Sequence, residues 1–363
     1  MRLSRFILLS STAWLVLHVV NATLAHNLGP SLYPFGIESI FRYWDAAHYN
    51  AIASHGYDAS LWGFYPLYPL TVWAFAPLLG LNSRPDIAGA ILSTALLASF
   101  CVTQAKLVER REENLQRLVP LTTGGWLIFL FSPASYIFHT NHTESLFLLL
   151  SFAALLAARR GNWKTAALLA GLCALTRNQG VILAVAVTLE SALQRKGWRD
   201  RLARFVDSGA ISFLLFACYP LYQYYKTGDA LTFLRAQSSF WRVVTTWREW
   251  IGTLWYANPW QAPNLRDHLH LLLFFLLIVS AIYFLRKRDY PLALYIFLST
   301  IAILFQGELV NMFRFGVVLF PAMFLIGDQV TRLPRPLAWG IFGAVIWFNL
   351  FYTSQYALGD WAY

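Results

Sequence analysis

The sequence predicts an all-α integral membrane protein that crosses the bilayer several times. The chain has 363 residues, of which 58% are hydrophobic and only 13% are charged, whereas soluble domains are about half apolar and a quarter charged. The apolar residues form long blocks, and several blocks reach the roughly 17–25 residues that a helix needs to cross a hydrocarbon core. These observations exclude a disordered chain, a secreted disulfide-linked scaffold and a soluble multidomain enzyme.

The net charge of +10 follows a topological pattern. Of the 28 Lys and Arg residues, 19 fall in six short connections, at 2–5, 106–119, 159–164, 195–204, 286–288 and 332–335. Cytoplasmic loops of membrane proteins carry such an excess of basic residues. We therefore place these connections and the N-terminus on the cytoplasmic side, and the charge predicts no nucleic-acid partner.

Each predicted element follows from the apolar blocks and the basic connections. The first helix covers residues 6–25 and leads to a first outer segment, 26–65. Residues 66–81 contain three prolines and are predicted to re-enter the membrane without crossing, because a full crossing would place 106–119 outside. Residues 165–194 are expected to enter the membrane and return to the cytoplasmic side as two short half-helices that turn at 176–180. Crossings are predicted at 87–106, 120–138, 145–158, 205–225, 268–285, 290–306, 314–330 and 337–354, so that residues 1–363 form a single transmembrane domain of about 10–12 helices.

The second outer segment, 226–267, is predicted to lie in the membrane interface. Apolar residues recur there at steps of three and four from Phe233 to Leu254, which is typical of a helix with one apolar face. Arg235, Arg242 and Arg248 fall where lipid phosphates would lie. Its tryptophans are Trp241, Trp247, Trp250, Trp255 and Trp260. Aromatic anchoring and a role in gripping a lipid-linked substrate both explain this pattern.

Charged residues near a membrane interior are costly and often functional. The candidates on the outer face are Glu38, Arg42, Asp45, His48, His55, Asp58, Glu144, Arg177, Glu308 and Arg314. If residues 41–58 are helical, Asp45, His48 and Ile52 share a face, and a carboxylate one turn from a histidine suits a general base. A solvated Arg42–Asp45 pair on an interfacial helix is the structural alternative. The ligand spacing does not support a divalent cation, and no metal site or other cofactor is assigned.

Four blocks of the sequence carry a family resemblance. The first is WDAAHY at 44–49 with FYPLYP at 64–69, the second SPAS at 132–135 with HTESLF at 142–147, the third LTRNQG at 175–180, and the fourth 311–321 around Arg314. In this order they resemble the signatures of the PIG-V family, the GPI mannosyltransferase 2 enzymes and their prokaryotic relatives within the GT-C glycosyltransferases. The chain departs from the pattern at Tyr43, where the family usually has Arg, and at Asn178-Gln179.

The resemblance implies a GT-C-like bundle with two large outer-face segments and an inverting transfer of a hexose. In this family the hexose is mannose, moved from a polyprenyl or dolichyl phosphate carrier to a lipid-linked or glycan acceptor hydroxyl on the extracytoplasmic or ER-lumenal face. The family's catalytic acid in the first outer loop matches Asp45, which would act as the base. Expected contacts to the donor phosphate are Arg314, Arg177 and His48, and those that orient acceptor or donor are Glu144, Arg42, Trp44 and Tyr49.

Structural roles are the alternatives for three of these residues. Arg177 would cap a turn, Arg314 would anchor the interface, and Glu144 would be an acid favoured by a helix dipole. At the level of the whole protein, broken helices and a mid-membrane arginine also suit a transporter or lipid flippase. Polar residues gathered on one face, and no visible inverted repeat, argue against that function. A non-catalytic scaffold would leave Asp45, His48 and Arg314 unexplained.

Overall fold

The structure, a computed structural model, describes residues 2–29, 37–58, 60–240, 246–256, 265–306 and 309–360. Within these ranges it contains no strand, which confirms the predicted all-α class. The α-helices described are α1 (Leu3–Leu28), α2 (Asp45–His55), α3 (Leu67–Phe75), α4 (Pro85–Arg110), α5 (Thr123–Leu130), α6 (Glu144–Arg159), α7 (Trp163–Ala174), α8 (Asn178–Leu193), α9 (Trp198–Thr227), α10 (Thr232–Phe240), α11 (Trp247–Tyr256), α12 (Leu265–Arg286), α13 (Tyr290–Ile301), α14 (Met312–Val317), α15 (Phe320–Val330) and α16 (Arg335–Ala357). Short 3-10 helices lie at Ile37–Arg42, Leu61–Gly63, Ala76–Leu79, Glu113–Leu115, Ser135–His139 and Ala302–Gln306.

Five helices of the described chain are long and apolar enough to cross a membrane. They are α1, α4, α9, α12 and α16, with 22 to 30 residues each. At 1.5 Å per residue even 22 residues span about 33 Å, which exceeds a hydrocarbon core of about 30 Å. The chain is therefore a polytopic membrane protein, as predicted. The other apolar helices are shorter, so the total number of crossings stays a prediction.

The chain forms two compact units. Unit 1 comprises Met1–Gly56, Tyr68–Leu149 and Val317–Tyr363, and unit 2 comprises Tyr57–Leu67 and Leu150–Gly316. In unit 1, α1 packs against α4 and α16, and α5 packs against α15. In unit 2, α7, α8 and α9 pack against one another, and α13 packs against both α8 and α12. The single transmembrane domain stays a prediction.

Glycine allows α5 and α15 of unit 1 to approach closely. A Cβ atom added to Gly327 would overlap the carbonyl group of Gly124, so only glycine fits at this contact, which is the way many membrane helices pack. Asp328, the next residue, caps the start of α5. Its carboxylate accepts hydrogen bonds from the Thr122 amide at 2.9 Å, the Thr122 hydroxyl at 2.6 Å and the Leu121 amide at 3.2 Å.

A buried polar network joins α1, α16 and the 3-10 helix Ser135–His139 in unit 1. His18 Nδ1 lies 3.0 Å from His139 Nε2, and His18 Nε2 lies 2.6 Å from Asn349 Oδ1. The Asn349 amide donates to the Ser132 carbonyl oxygen at 2.8 Å and to Ser135 Oγ at 2.9 Å. The ring of Trp14 lies 4.2 Å from that of His18. Apolar helices are thus held in register by directional bonds.

A buried ion pair joins α6 to the start of α13 in unit 2. The Nη2 atom of Arg159 donates to both carboxylate oxygens of Asp289, at 2.6 and 2.7 Å. The Asp289 side chain is 1% exposed and the Arg159 side chain 13%. Glu190 of α8 lies 3.4 Å from Arg159 Nε. The arginine therefore links three helices at one end of the unit.

The structure divides several predicted elements. The expected crossing 120–138 is α5 followed by the 3-10 helix Ser135–His139, with Pro133 between them, and 314–330 is split into α14 and α15. The segment 165–194 breaks at Leu175–Arg177, where the turn is predicted. Residues 66–81 form the nine-residue α3 and a short 3-10 helix. Nine residues span only about 14 Å, which suits the predicted re-entrant segment.

The second outer segment contains two helices in the described residues, α10 and α11. Phe233 and Ala236 of the predicted apolar stripe are buried in unit 2 against Trp62, Tyr65 and Tyr219, so this part of the stripe faces protein rather than lipid. Two of its tryptophans, Trp247 and Trp255, are exposed. Residues 241–245 and 257–264, with Trp241, Arg242, Val243 and Trp260, lie outside the described residues. The interfacial role stays a prediction.

Candidate active site

Asp45 is the first residue of α2 in unit 1. The residue before it, Trp44, has φ 55° and ψ −130°, and a positive φ is an uncommon conformation for a side chain as bulky as tryptophan. The indole N–H of Trp44 donates to the Asp360 carbonyl oxygen at 3.2 Å. Asp45 and His48 are half-buried one turn apart. This segment therefore presents a carboxylate one turn from a histidine, an arrangement that suits a general base.

Buried aromatic residues hold the inner side of α2. Tyr49 and Ile52 are each 6% exposed, and the Tyr49 ring lies 5.4 Å from that of Tyr68 in α3. The Tyr68 hydroxyl lies 3.0 Å from Asn141 Oδ1, 2.9 Å from Ser93 Oγ and 3.1 Å from the Gly89 carbonyl oxygen. Asn141 Nδ2 in turn donates to the Ala46 carbonyl oxygen at 3.4 Å. A chain of polar contacts therefore reaches from α4 to the residue after Asp45.

Arg42 pairs with Asp86 at the start of α4. Arg42 Nε donates to Asp86 Oδ2 at 2.7 Å, and Arg84 Nη2 donates to the same oxygen at 3.1 Å. The Asp86 side chain is 1% exposed. Its hydrogen bond raises the pKa of the Arg84 guanidinium, which lies just before α4. Arg42 thus ties the 3-10 helix that leads to Trp44 to the start of α4.

The turn at 140–145 is completely enclosed by protein. Asn141, His142, Thr143, Glu144 and Ser145 all have no exposed surface. The Thr143 hydroxyl lies 3.4 Å from Glu144 Oε2, and Ser145 Oγ donates to the Phe138 carbonyl oxygen at 2.6 Å. Glu144 is the first residue of α6, the position that its structural alternative requires. Burial of so many polar groups in a membrane protein also marks the turn as a functional candidate.

Arg177 and Arg314 lie in unit 2 and come close to the same short helix. Arg177 precedes α8 and is 7% exposed, and its guanidinium carbon lies 5.6 Å from the centre of the Phe315 ring. Arg314, in α14, is 6% exposed. Gln179 Nε2 donates to the Phe315 carbonyl oxygen at 3.2 Å. Two buried cations around α14 are well suited to bind an anion.

Close helix packing explains the glycine of the LTRNQG block, Gly180. A Cβ atom added to Gly180 would overlap the backbone carbonyl of Cys173, so the first turn of α8 can approach the end of α7 only at a glycine. The Gly180 amide donates to the Arg177 carbonyl oxygen at 2.9 Å. This close approach forms the break that places an arginine among apolar helices.

Several polar residues near these positions are not predicted by the sequence. His270 of α12 has no exposed surface, its ring lies 4.2 Å from that of Phe313, and neither ring nitrogen has a hydrogen-bond partner among the described residues. A buried polar group without a hydrogen-bond partner in the protein usually binds water or a ligand. Asp86, Asn141 and Tyr68 are likewise missed as site residues, although Tyr68 lies in the FYPLYP block. A histidine in an otherwise apolar segment is the signal that could have found His270.

The predicted residues therefore fall into two groups. Asp45, His48, Glu144, Arg42, Trp44 and Tyr49 belong to unit 1, and Arg177 and Arg314 belong to unit 2. Glu308 lies outside the described residues. Within the described ranges, no three His, Cys, Asp or Glu side chains are grouped closely enough to hold a metal ion.

Comparison with known proteins adds a family to this geometry. The family described as mannosyltransferase (PIG-V) matches residues 36–302. The chain is 31% identical to GPI alpha-1,6-mannosyltransferase 2 of Rattus norvegicus over 145 residues, 38% of this chain and 29% of that protein. It is 31% identical to GPI mannosyltransferase 2 of Yarrowia lipolytica over 144 residues, 38% of this chain and 37% of that protein. The matched part thus spans about a third of the length of these relatives. No solved structure matches the chain.

Proposed function

Because this chain belongs to the mannosyltransferase (PIG-V) family and is a membrane glycosyltransferase, we propose that it takes mannose from a polyprenyl-phosphate carrier. The acceptor is a hydroxyl of a lipid-linked or glycan molecule on the extracytoplasmic or ER-lumenal face. The transfer inverts the anomeric carbon in a single displacement. The N-terminus lies in the cytoplasm, as the basic connections favour.

The position of the Asp45 carboxylate is the main observation that supports this proposal. A half-buried carboxylate at the first residue of α2, held by the left-handed backbone of Trp44, is positioned to take a proton. The acceptor hydroxyl gives its proton to a carboxylate oxygen within about 2.6–3.2 Å. Its oxygen attacks the anomeric carbon from the face opposite the phosphate, and the bond between that carbon and the phosphate oxygen breaks. The lipid phosphate leaves with the electron pair.

The leaving phosphate gains negative charge in the transition state, so fixed cations accelerate the reaction. Arg177 and Arg314 supply that charge, since both guanidiniums are buried around α14. Burial strengthens their interaction with an anion, and each can donate two parallel hydrogen bonds. His48, one turn after Asp45, supplies a third contact to the phosphate.

The remaining residues orient the reactants. Tyr49 is buried behind α2, and Arg42 acts on Asp45 through the 3-10 helix that it ties to Asp86. Trp44 fixes the backbone before the base. Glu144 sits in the buried polar turn and orients the acceptor. Loss of any of these should lower the rate less than loss of Asp45, because none takes the transferred proton.

Replacing Asp45 tests the assignment. The purified chain in detergent is given polyprenyl-phosphate mannose with a labelled sugar and a membrane extract as acceptor source, and release of sugar from the lipid is followed. Asp45→Asn should lower the rate by about 10²–10⁴-fold, the usual contribution of a general base. The matched control is Asp200→Asn, since Asp200 is also a first-turn acid, in α9, and this variant should keep full activity.

The melting midpoint in detergent shows whether the variants fold. Near-normal turnover by a folded Asp45→Asn protein would refute the role of Asp45. Uptake of a lipid-linked sugar into proteoliposomes, without sugar release under any condition, would instead indicate the transporter or flippase.

A further inference from the structure

Three buried polar atoms of unit 2 lack a hydrogen-bond partner among the described residues. They are the side-chain carbonyl oxygen of Gln179, in the first turn of α8, and the hydroxyl oxygens of Tyr295 and Ser299 in α13. None of these three side chains has exposed surface. Buried polar atoms are almost always hydrogen-bonded in folded proteins, so this set indicates a site for a bound group.

The three atoms belong to surfaces that meet. Helix α13 packs against α8, and Tyr295 lies near enough to Arg177 for their side chains to interact electrostatically. Arg177 precedes Gln179 by two residues, and Ser299 follows Tyr295 by four. Residues four apart share a helix face. The two hydroxyls therefore lie on the face of α13 that meets the start of α8, where Gln179 is found.

The orientation of the Gln179 amide determines which group the site can bind. Its Nε2 atom donates to the Phe315 carbonyl oxygen at 3.2 Å. Because that carbonyl can only accept, the amide cannot be reversed, and the buried Oε1 atom is an acceptor that needs a donor. A phosphate oxygen that carries negative charge has no proton to give it. A sugar hydroxyl has one, and it can also accept from or donate to the hydroxyls of Tyr295 and Ser299.

We infer that Gln179, Tyr295 and Ser299 bind hydroxyls of the transferred hexose and select which sugar is used, an inference that rests on the proposed function. The donor phosphate is bonded to the anomeric carbon of the same hexose, and Arg177 lies beside these residues. A protein that hydrogen-bonds a substrate hydroxyl rejects an analogue without it, because the buried protein group is then left unpaired. Gln179 lies in the pair Asn178-Gln179, at which the chain departs from the family pattern, so its amide is not part of the family signature.

Variants that remove one polar group at a time test the inference. Tyr295→Phe and Ser299→Ala each delete one hydroxyl, and Gln179→Met deletes the amide at nearly the same side-chain length. Each variant is assayed for kcat/KM with polyprenyl-phosphate mannose. The same assay is repeated with analogues of this donor in which one mannose hydroxyl at a time is replaced by hydrogen.

Matched control variants come from the same two helices. Tyr290→Phe removes the hydroxyl of a tyrosine at the start of α13 that is 46% exposed. Gln194→Met removes an amide at the other end of α8, which also donates to a backbone carbonyl oxygen, that of Ala158, at 2.7 Å. The side chain of Gln194 is exposed. Both control variants should match wild type with every donor.

With the mannose donor, we expect each of the three site variants to lower kcat/KM by roughly tenfold to a hundredfold, because a buried sugar hydroxyl loses its partner. The loss should not recur with the analogue that lacks this same hydroxyl, since the hydrogen bond is then already absent. With the other analogues the two losses should multiply, as they do for independent sites. Each site variant should therefore be coupled to one hydroxyl of the sugar.

Two results would overturn the inference. One is a set of losses that multiply for every combination of variant and analogue. The other is a higher melting midpoint with unchanged kinetics, which would indicate that the three atoms bind buried water. Tyr295→Phe and Ser299→Ala remove a single oxygen each, so they complete the test if Gln179→Met does not fold. Wild type that releases no mannose would refute the proposed function, whereas active wild type that uses every analogue as well as mannose would refute only the hexose contacts.

Discussion

Replacing Gly89 by alanine tests whether the polar contacts behind α2 support the base. A Cβ atom at Gly89 would overlap the side-chain amide of Asn141 and come to 3.2 Å from the Tyr68 hydroxyl. Neither neighbour can yield freely, because Tyr68 and Asn141 are bonded to each other and Asn141 reaches the Ala46 carbonyl oxygen. The substitution therefore forces the contact with Ala46, in the first turn of α2, to move.

The expected magnitude follows from these contacts. Overpacking typically destabilises by about 1–3 kcal/mol, and loss of the two hydrogen bonds adds about 0.5–1.5 kcal/mol each. Alanine in a helix recovers about 0.5–1 kcal/mol relative to glycine. The net loss is about 1–5.5 kcal/mol, which for a chain of 363 residues corresponds to a fall of roughly 1–7 °C in the melting midpoint. Sugar transfer should fall by at least about tenfold, because small displacements of a catalytic group are costly.

The control is the same change where space is open. Gly340→Ala in α16 has no atom within 4 Å of the new Cβ, so it should stabilise the protein slightly. The two alanine variants are compared by thermal unfolding in detergent and by the rate of sugar release. Opposite signs of the two melting shifts support the packing argument. Equal melting midpoints and equal rates for the two variants would refute it.

Two further predictions concern stability alone. Asp289→Asn leaves Arg159 buried without its main charge partner, and breaking a buried pair in this way costs about 3–5 kcal/mol. Adding Arg159→Met should recover part of this loss in the same unfolding assay. A double variant no more stable than Asp289→Asn alone would contradict the pairing. Gly327→Ala should separate α5 from α15 and lower the melting midpoint. The control Gly343→Ala, which has no neighbour within 4 Å, should leave the melting midpoint unchanged. Equal midpoints for the two variants would show that α5 and α15 tolerate a wider spacing.

Much of the fold could be predicted from apolar blocks and charges. The long helices α1, α4, α9, α12 and α16 follow from block length, because a bilayer fixes how many apolar residues a crossing needs. The break at Arg177 could also be predicted, since an arginine inside an apolar stretch is expensive unless the chain opens around it. The divisions within 120–138 and 314–330 could not, because tertiary packing decides whether a proline turns the chain or is tolerated.

The contacts of the candidate site were less predictable. Local spacing offers Asp45 as a partner of Arg42 and gives no sign of Asp86, which lies 44 residues away and binds Arg42. Tyr68 and Asn141 also meet across 73 residues. A helical period relates only residues three and four apart, so it cannot foresee pairings that arise when distant helices pack. The family motifs predict which blocks contribute to the candidate site, but they do not predict which residues those blocks contact.

The hydrogen bonds around His18 allow only one direction. The Ser132 carbonyl oxygen can only accept, so the Asn349 amide must donate to it and Asn349 Oδ1 must accept from His18 Nε2. The lone pair of His18 Nδ1 then receives the proton of His139 Nε2, which fixes the tautomers of both rings. An additional proton on His18 would bring two donors face to face. The network therefore favours one register of α1 against α16, because sliding α1 by one turn would carry His18 away from Asn349 and break the bond between them.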